Sequence, residues 1–161
     1  MRVRVIQREG QRGIEVTVLC APGDQRAERL ADRLRTAGGR LTAYVSQTGT
    51  ERRVVPLASV SSIRSDADHA LVRMVDGSML HSASRLFELE AALQQTEFVR
   101  VSRQEIVNLD NVQTIRPEFG SRLVLGLKGG REAVVSRNYA SQVKSRIGIA
   151  GELIGRREEP R

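Results

Sequence analysis

Polar and apolar residues alternate along RVRVIQ (2–7) and again along IEVTVLC (14–20), where Ile14, Val16, Val18 and Cys20 share one face. A period of two predicts a half-buried strand in each, with EGQRG supplying the turn. The period then changes. Ala27, Leu30, Ala31, Leu34 and Ala37 recur at spacings of three and four, between an N-capping Asp24 and a Gly38-Gly39 stop. The first forty residues therefore read as a strand–strand–helix unit. It is too short to bury a core alone, so it should pack on the rest of the chain or on a second subunit.

From Leu41 the pattern is strand-rich. LTAYVS (41–46), RRVVPL (52–57), VSSIRS (60–65) and HALVRMV (69–75) are short and β-branched, and Asp76-Gly77 predicts a hairpin into SMLHS (78–82). Leu86, Leu89 and Leu93 mark a short amphipathic helix with Ser82 or Ser84 as its N-cap. FVRV (98–101), VQTIRPEF (112–119) and RLVLGL (122–127) follow, the last turning at KGG into REAVV (131–135). Tyr139, Val143 and Ile147 give a final helix, and residues 149–161 are expected to form a flexible tail. The expected fold class is mostly β (α+β), divided as an N-terminal unit (1–40), a main domain (41–148) and the tail.

One tripeptide occurs twice: Val-Ser-Arg at 101–103 and at 135–137. Ser102 followed by Glu105 has capping-box spacing, which predicts a short helix starting at Arg103 and Gln104. Ser136 would do the same for Arg137 and Asn138. An arginine leaving an exposed helix N-terminus, beside free N–H groups, would grip a phosphate and reach a base edge. Capping serines and first-turn arginines are also common in helices that bind nothing. Spacing alone leaves both possibilities open.

Charge shifts the balance toward a polyanion. The net charge is +7 and the pI is near 10.8. Residues 1–40 carry nine cations against five acids, residues 41–97 five against seven, and residues 98–148 nine against four. The segment with both tripeptides is thus strongly basic. Of the 26 cations, 24 are arginine, so part of the excess is a general arginine richness. Aromatic residues make up 3% and there is no Trp, leaving few platforms for stacking single strands.

The remaining chemistry is sparse. His69 and His81 are the only histidines, and no cysteine or carboxylate stands at metal-ligand spacing. Asp66, Asp68 and His69 read as a solvated turn, and no nucleophile elbow is present. Gly126, Gly129 and Gly130 are hairpin glycines and not a phosphate loop. No catalytic residue, cofactor or metal is expected. Asn108, in IVNLDNV, reads as a buried amide bonding backbone at a turn. The lone Cys20 excludes an internal disulfide framework, and no run of eighteen apolar residues exists, which fits a cytoplasmic chain.

The string FVRVSRQEIVNLDNVQTI, followed by RLVLGLKGGREAVVSRNYASQVK, resembles the C-terminal part of the LytTR-type DNA-binding domain. VVPLASVSSIRSDADHALVRMVDG and SASRLFELEAAL resemble the family's earlier strands and linking helix, so the likeness covers roughly 41–148. It implies an elongated β fold that binds duplex DNA through loops and short helix starts entering successive major grooves. By position, His69, Arg103 and Arg137 would reach DNA. Ser102, Gln104, Ser136 and Asn138 would be secondary contacts, while Lys128, Tyr139 and Lys144 would support the phosphate backbone. The short N-terminus implies a member without a receiver domain. A homodimer is expected, together with control by a regulatory partner protein that is membrane-bound in some relatives. The other reading is an RNA-binding or protein-interaction module on a basic β scaffold.

Overall fold

The structure, a computed structural model, describes residues 4–10 and 16–149. Helix α1 (Gln25–Ala37) is followed by strands β1 (Arg40–Tyr44), β2 (Arg52–Pro56), β3 (Val60–Asp66), β4 (His69–Met74) and β5 (Met79–Ser82). Helix α2 (Leu86–Ala92) leads to β6 (Phe98–Ser102), β7 (Glu105–Asn108), β8 (Val112–Glu118), β9 (Arg122–Leu127), β10 (Glu132–Val135) and α3 (Arg137–Ile147). All pairings are antiparallel. β1 to β7 form one sheet in the order β2-β1-β5-β4-β3-β7-β6, and the other three form a second in the order β10-β9-β8.

Two apolar cores follow from the alternation of side chains along these strands. Leu41, Val55, Ile63, Val72 and Leu80 face α2, which contributes Leu86 and Leu89, with Leu93 directly after it. Leu123, Leu125, Leu127, Ala133 and Val135 of the second sheet face Ala140 and Val143 of α3. The β6–β7 hairpin belongs to both. Phe98 and Ile106 enter the first core, whereas Val99, Val101 and Val107 enter the second. A hairpin covered on both sides needs apolar residues at both parities, as FVRV and EIVN nearly provide.

Polar side chains fasten the far end of this hairpin. Asn108 is buried, as its sequence context predicts. Its Nδ2 donates to the carbonyls of Leu57 and Val60 at 3.2 and 3.0 Å, and its Oδ1 accepts from Asp110 N–H at 3.0 Å. Asn111, not singled out from the sequence, donates to the Val60 carbonyl as well, at 3.0 Å.

The N-terminal unit departs from expectation. Residues 4–7 and 16–20 form no strand; positions 2, 3, 14 and 15 lie outside the described residues. Alternation makes a strand only where a neighbour completes the backbone ladder. None does so here among the described residues, and Val5 and Ile6 stay exposed. The helix forms as expected. Asp24 caps it by accepting from Arg26 N–H at 2.9 Å, and the Arg26 guanidinium beside it lowers the carboxyl's pKa. This helix packs on β1 and α2, and Leu57 N–H donates to the Gly39 carbonyl at 2.9 Å, tying its end to the sheet.

The cap of α2 is also different. Arg85 holds the N-cap position, and Glu88 reaches back to its N–H at 2.8 Å. Ser82 is still part of β5, and its hydroxyl accepts from Ser84 N–H instead. Among the described residues no helix is long and apolar enough to cross a membrane. Of the expected tail, residues 150–161 lie outside the described residues.

Candidate nucleic-acid interface

Strand ends decide where the candidate residues lie. Ser102 pairs with Glu105, so β6 and β7 are joined by a two-residue turn with Arg103 and Gln104 at its tip. The short helix expected after Ser102 is therefore absent. FVRV and EIVN are β-formers that bury both faces, and packing overrides the local capping signal. The serine serves the turn: its Oγ accepts from Gln104 N–H at 3.2 Å. Glu105 does not reach back to a helix start. It is buried and accepts from Arg131 Nη2 at 2.5 Å, while Nη1 of the same arginine donates to Ser62 Oγ at 2.5 Å.

A residue that the sequence reading passed over sets the shape of this tip. Arg100 donates through Nε to the Ser102 carbonyl at 2.6 Å and through Nη2 to the Arg103 carbonyl at 2.5 Å. Its Nη1 reaches Glu90 Oε2 of α2 at 2.7 Å. One half-buried guanidinium thus holds two turn carbonyls and anchors them to a helix. An arginine inside an otherwise apolar strand, two residues before the turn, is the sequence signal that marks it.

The neighbouring hairpin tip lies alongside. Ser65 N–H donates to the Gln104 carbonyl at 2.9 Å, linking the end of β3 to the β6–β7 tip. Asp66 pairs with His69 across the β3–β4 turn, where Ala67 takes φ 51°. His69 is exposed at the start of β4. Asp68, beside it, is engaged by Arg85 at 3.2 Å.

The second Val-Ser-Arg comes to the same end of the molecule. Ser136 is the N-cap residue of α3 and Arg137 its first helical residue, as expected, but the Ser136 hydroxyl bonds no helix N–H. It donates at 3.4 Å to the Val101 carbonyl, which also accepts the Ser136 N–H at 2.9 Å. Closing the junction between two strand ends takes precedence over capping. Val101 and Val135 are both fully buried in the second core. The repeated tripeptide thus meets its own copy: two buried valines, two half-buried serines and two exposed arginines.

Arg137 sits at a helix N-terminus whose first turn contains no acidic side chain. Such a terminus carries partial positive charge, so an arginine there is unfavourable unless an anion answers it. Asn138 is exposed next to it, and Tyr139 is partly buried against the second core. Lys144 lies two turns along α3, half-buried in the last turn, where a cation suits the helix dipole. Lys128 is set apart. Its N–H donates to the Asn111 carbonyl at 2.9 Å, in the β9–β10 turn at the opposite end of the strands. The structure gathers His69, Ser102, Arg103, Gln104, Ser136, Arg137 and Asn138, and does not bring Lys128 to them.

The family model for the LytTr DNA-binding domain matches residues 50–148, a span that includes His69 and both tripeptides. The sensory transduction protein LytT of Bacillus cereus is 34% identical over 90 residues, which cover 51% of this chain and 37% of that protein. Its counterpart from Bacillus subtilis is 35% identical over 81 residues, covering 50% and 33%. The chain spans about a third of the length of these curated relatives. Among solved structures, the LytTr DNA-binding domain of a putative methyl-accepting/DNA response regulator from Bacillus cereus superposes with a TM-score of 0.60. It is 24% identical, and the match covers 68% of this chain and 97% of that one.

Proposed function

We propose that this chain, which belongs to the LytTr DNA-binding domain family, is a sequence-specific regulator of transcription that reads duplex DNA with one end of its sheets. The observation that carries the reading is the convergence of His69, Arg103, Gln104, Arg137 and Asn138, all exposed, at the end where the two tripeptides join. Arginine can bond guanine O6 and N7 in pairs in the major groove, and asparagine or glutamine can do so at adenine. A histidine can both donate and accept at a base edge. The helix N-terminus beneath Arg137 adds a backbone donor set for a phosphate, which fixes register without reading sequence.

In this reading the arginines approach the duplex from a turn and a helix start, so no helix has to lie along the groove. Arg100 is a positioning residue, because it holds the two carbonyls on which the Arg103 tip turns. Ser102 and Ser136 shape the backbone behind the arginines. Lys144 supports the phosphate backbone from the flank of α3. The whole protein is proposed to act as a homodimer under the control of a regulatory protein.

Fluorescence anisotropy tests the reading directly. The probes are a duplex enriched from a random pool by the parent protein and its scrambled counterpart. The parent should prefer the enriched duplex, and affinity should fall as salt rises. Arg137→Ala should cost about 1–3 kcal/mol on the enriched duplex and remove most of the preference. Equal binding of both duplexes by the parent, or an Arg137→Ala variant that discriminates as well as the parent, would overturn it. Tighter binding to structured RNA would instead favour an RNA-binding module.

A further inference from the structure

The β8–β9 hairpin carries the most exposed aromatic residue among the described ones. Glu118 pairs with Arg122, and Phe119, Gly120 and Ser121 form the loop between them. Phe119 is 97% exposed. The ring belongs to neither apolar core, so its whole face is free to meet a partner. Gly120 and Ser121 both take left-handed backbone, at φ 76° and 61°, which makes the loop tight.

The register fixes where this loop lies. Leu123 pairs with Val135 on one side and with Pro117 on the other. Hence the β8–β9 loop stands at the same end of the second sheet as Val135, Ser136 and Arg137. The charges around it do not repel a polyanion outright. Glu118 is exposed and so is its cross-strand partner Arg122, while Arg116 is engaged by Glu132 at 3.1 Å.

We propose that Phe119 is a further DNA-reading residue, making an apolar contact with a thymine methyl group beyond the position read by Arg137. The inference rests on the DNA-binding reading above and deepens it. Phenylalanine against the thymine 5-methyl is one of the recognised direct contacts of the major groove, and the only one for which an uncharged, exposed ring suffices. Such a contact neutralises no phosphate. It changes which sequence is preferred and leaves the salt dependence unaltered.

The test uses the duplex enriched by the parent protein and a copy in which every thymine is replaced by uracil, which keeps pairing and removes the methyl groups. The parent should bind the uracil duplex on the order of tenfold more weakly, equivalent to about 1.4 kcal/mol. Phe119→Ala should bind the thymine duplex with the same loss, show an unchanged salt slope, and no longer distinguish thymine from uracil. Phe119→Leu should recover part of the difference. Because the side chain is exposed, the thermal midpoints of both variants should match the parent. If Phe119→Ala binds and discriminates like the parent while Arg137→Ala does not, the proposal fails and the DNA-binding reading stands. If Arg137→Ala also behaves like the parent, both fail. Self-association that disappears in Phe119→Ala, with DNA binding intact, would also overturn the proposal and assign the ring to a protein contact.

Discussion

Glu105 and Arg131 lie where the two sheets meet, with only 10% and 24% of their side chains exposed. Removing one partner of such a pair leaves the other without compensation, a loss of about 3 kcal/mol. Glu105→Gln should therefore lower the urea midpoint clearly, and replacing both residues by apolar ones of similar size should recover much of the loss. An unchanged midpoint in Glu105→Gln would show that the pair contributes little. Asn108 poses the same question without charge. Its amide donates to two carbonyls 48 and 51 residues away in the chain and accepts the Asp110 N–H. Asn108→Leu should cost about 2 kcal/mol, because buried backbone groups at both ends of the contact lose a partner. Its measurement is again the urea midpoint, with an unchanged slope as the sign that the folded state alone was affected.

At the level of elements, the β8–β9 ladder contains a tight spot. Gly126 faces Thr114, and a Cβ at 126 would collide with Thr114 Oγ1. Gly126→Ala should destabilise by about 1 kcal/mol, the cost of turning the exposed Thr114 side chain out of its preferred rotamer. Adding Thr114→Ala should give most of it back in a double-mutant cycle. Elements of this kind were legible in the sequence, since β1 to β10 other than β7 coincide with short alternating or β-branched runs. What was not legible depended on partners distant in sequence. RVRVIQ and IEVTVLC alternate as well as any strand in the chain, yet their described residues have no strand beside them. SRQE has the spacing of a capping box, yet Arg131, twenty-six residues on, draws Glu105 into a sheet interface. The candidate site was half legible. Arg137 at a helix start followed from local rules, whereas the contact between the two tripeptides and the clip made by Arg100 exist only in three dimensions.

For the molecule as a whole, the strands have two unlike ends. One gathers His69, the Arg103 tip, the start of α3 and the Phe119 loop; the other holds Asn108, Asn111 and Lys128. Lys128→Ala should accordingly weaken binding to the enriched duplex less than Arg137→Ala does, and a larger effect would place the duplex across both ends. Light scattering over a range of concentrations should show the proposed homodimer, and a monomer throughout would remove that part of the reading. The β6–β7 hairpin, whose two faces serve different cores, has a consequence for how such a chain can be cut or inherited. A break between the sheets, at residues 111 and 112, would strip the cover from Val99, Val101 and Val107 on one piece and leave the other without its wall. Neither piece would be a viable module. Limited digestion should yield intact domain or small peptides with no durable half between them, and any recombination that preserves the fold must carry both sheets as a single unit.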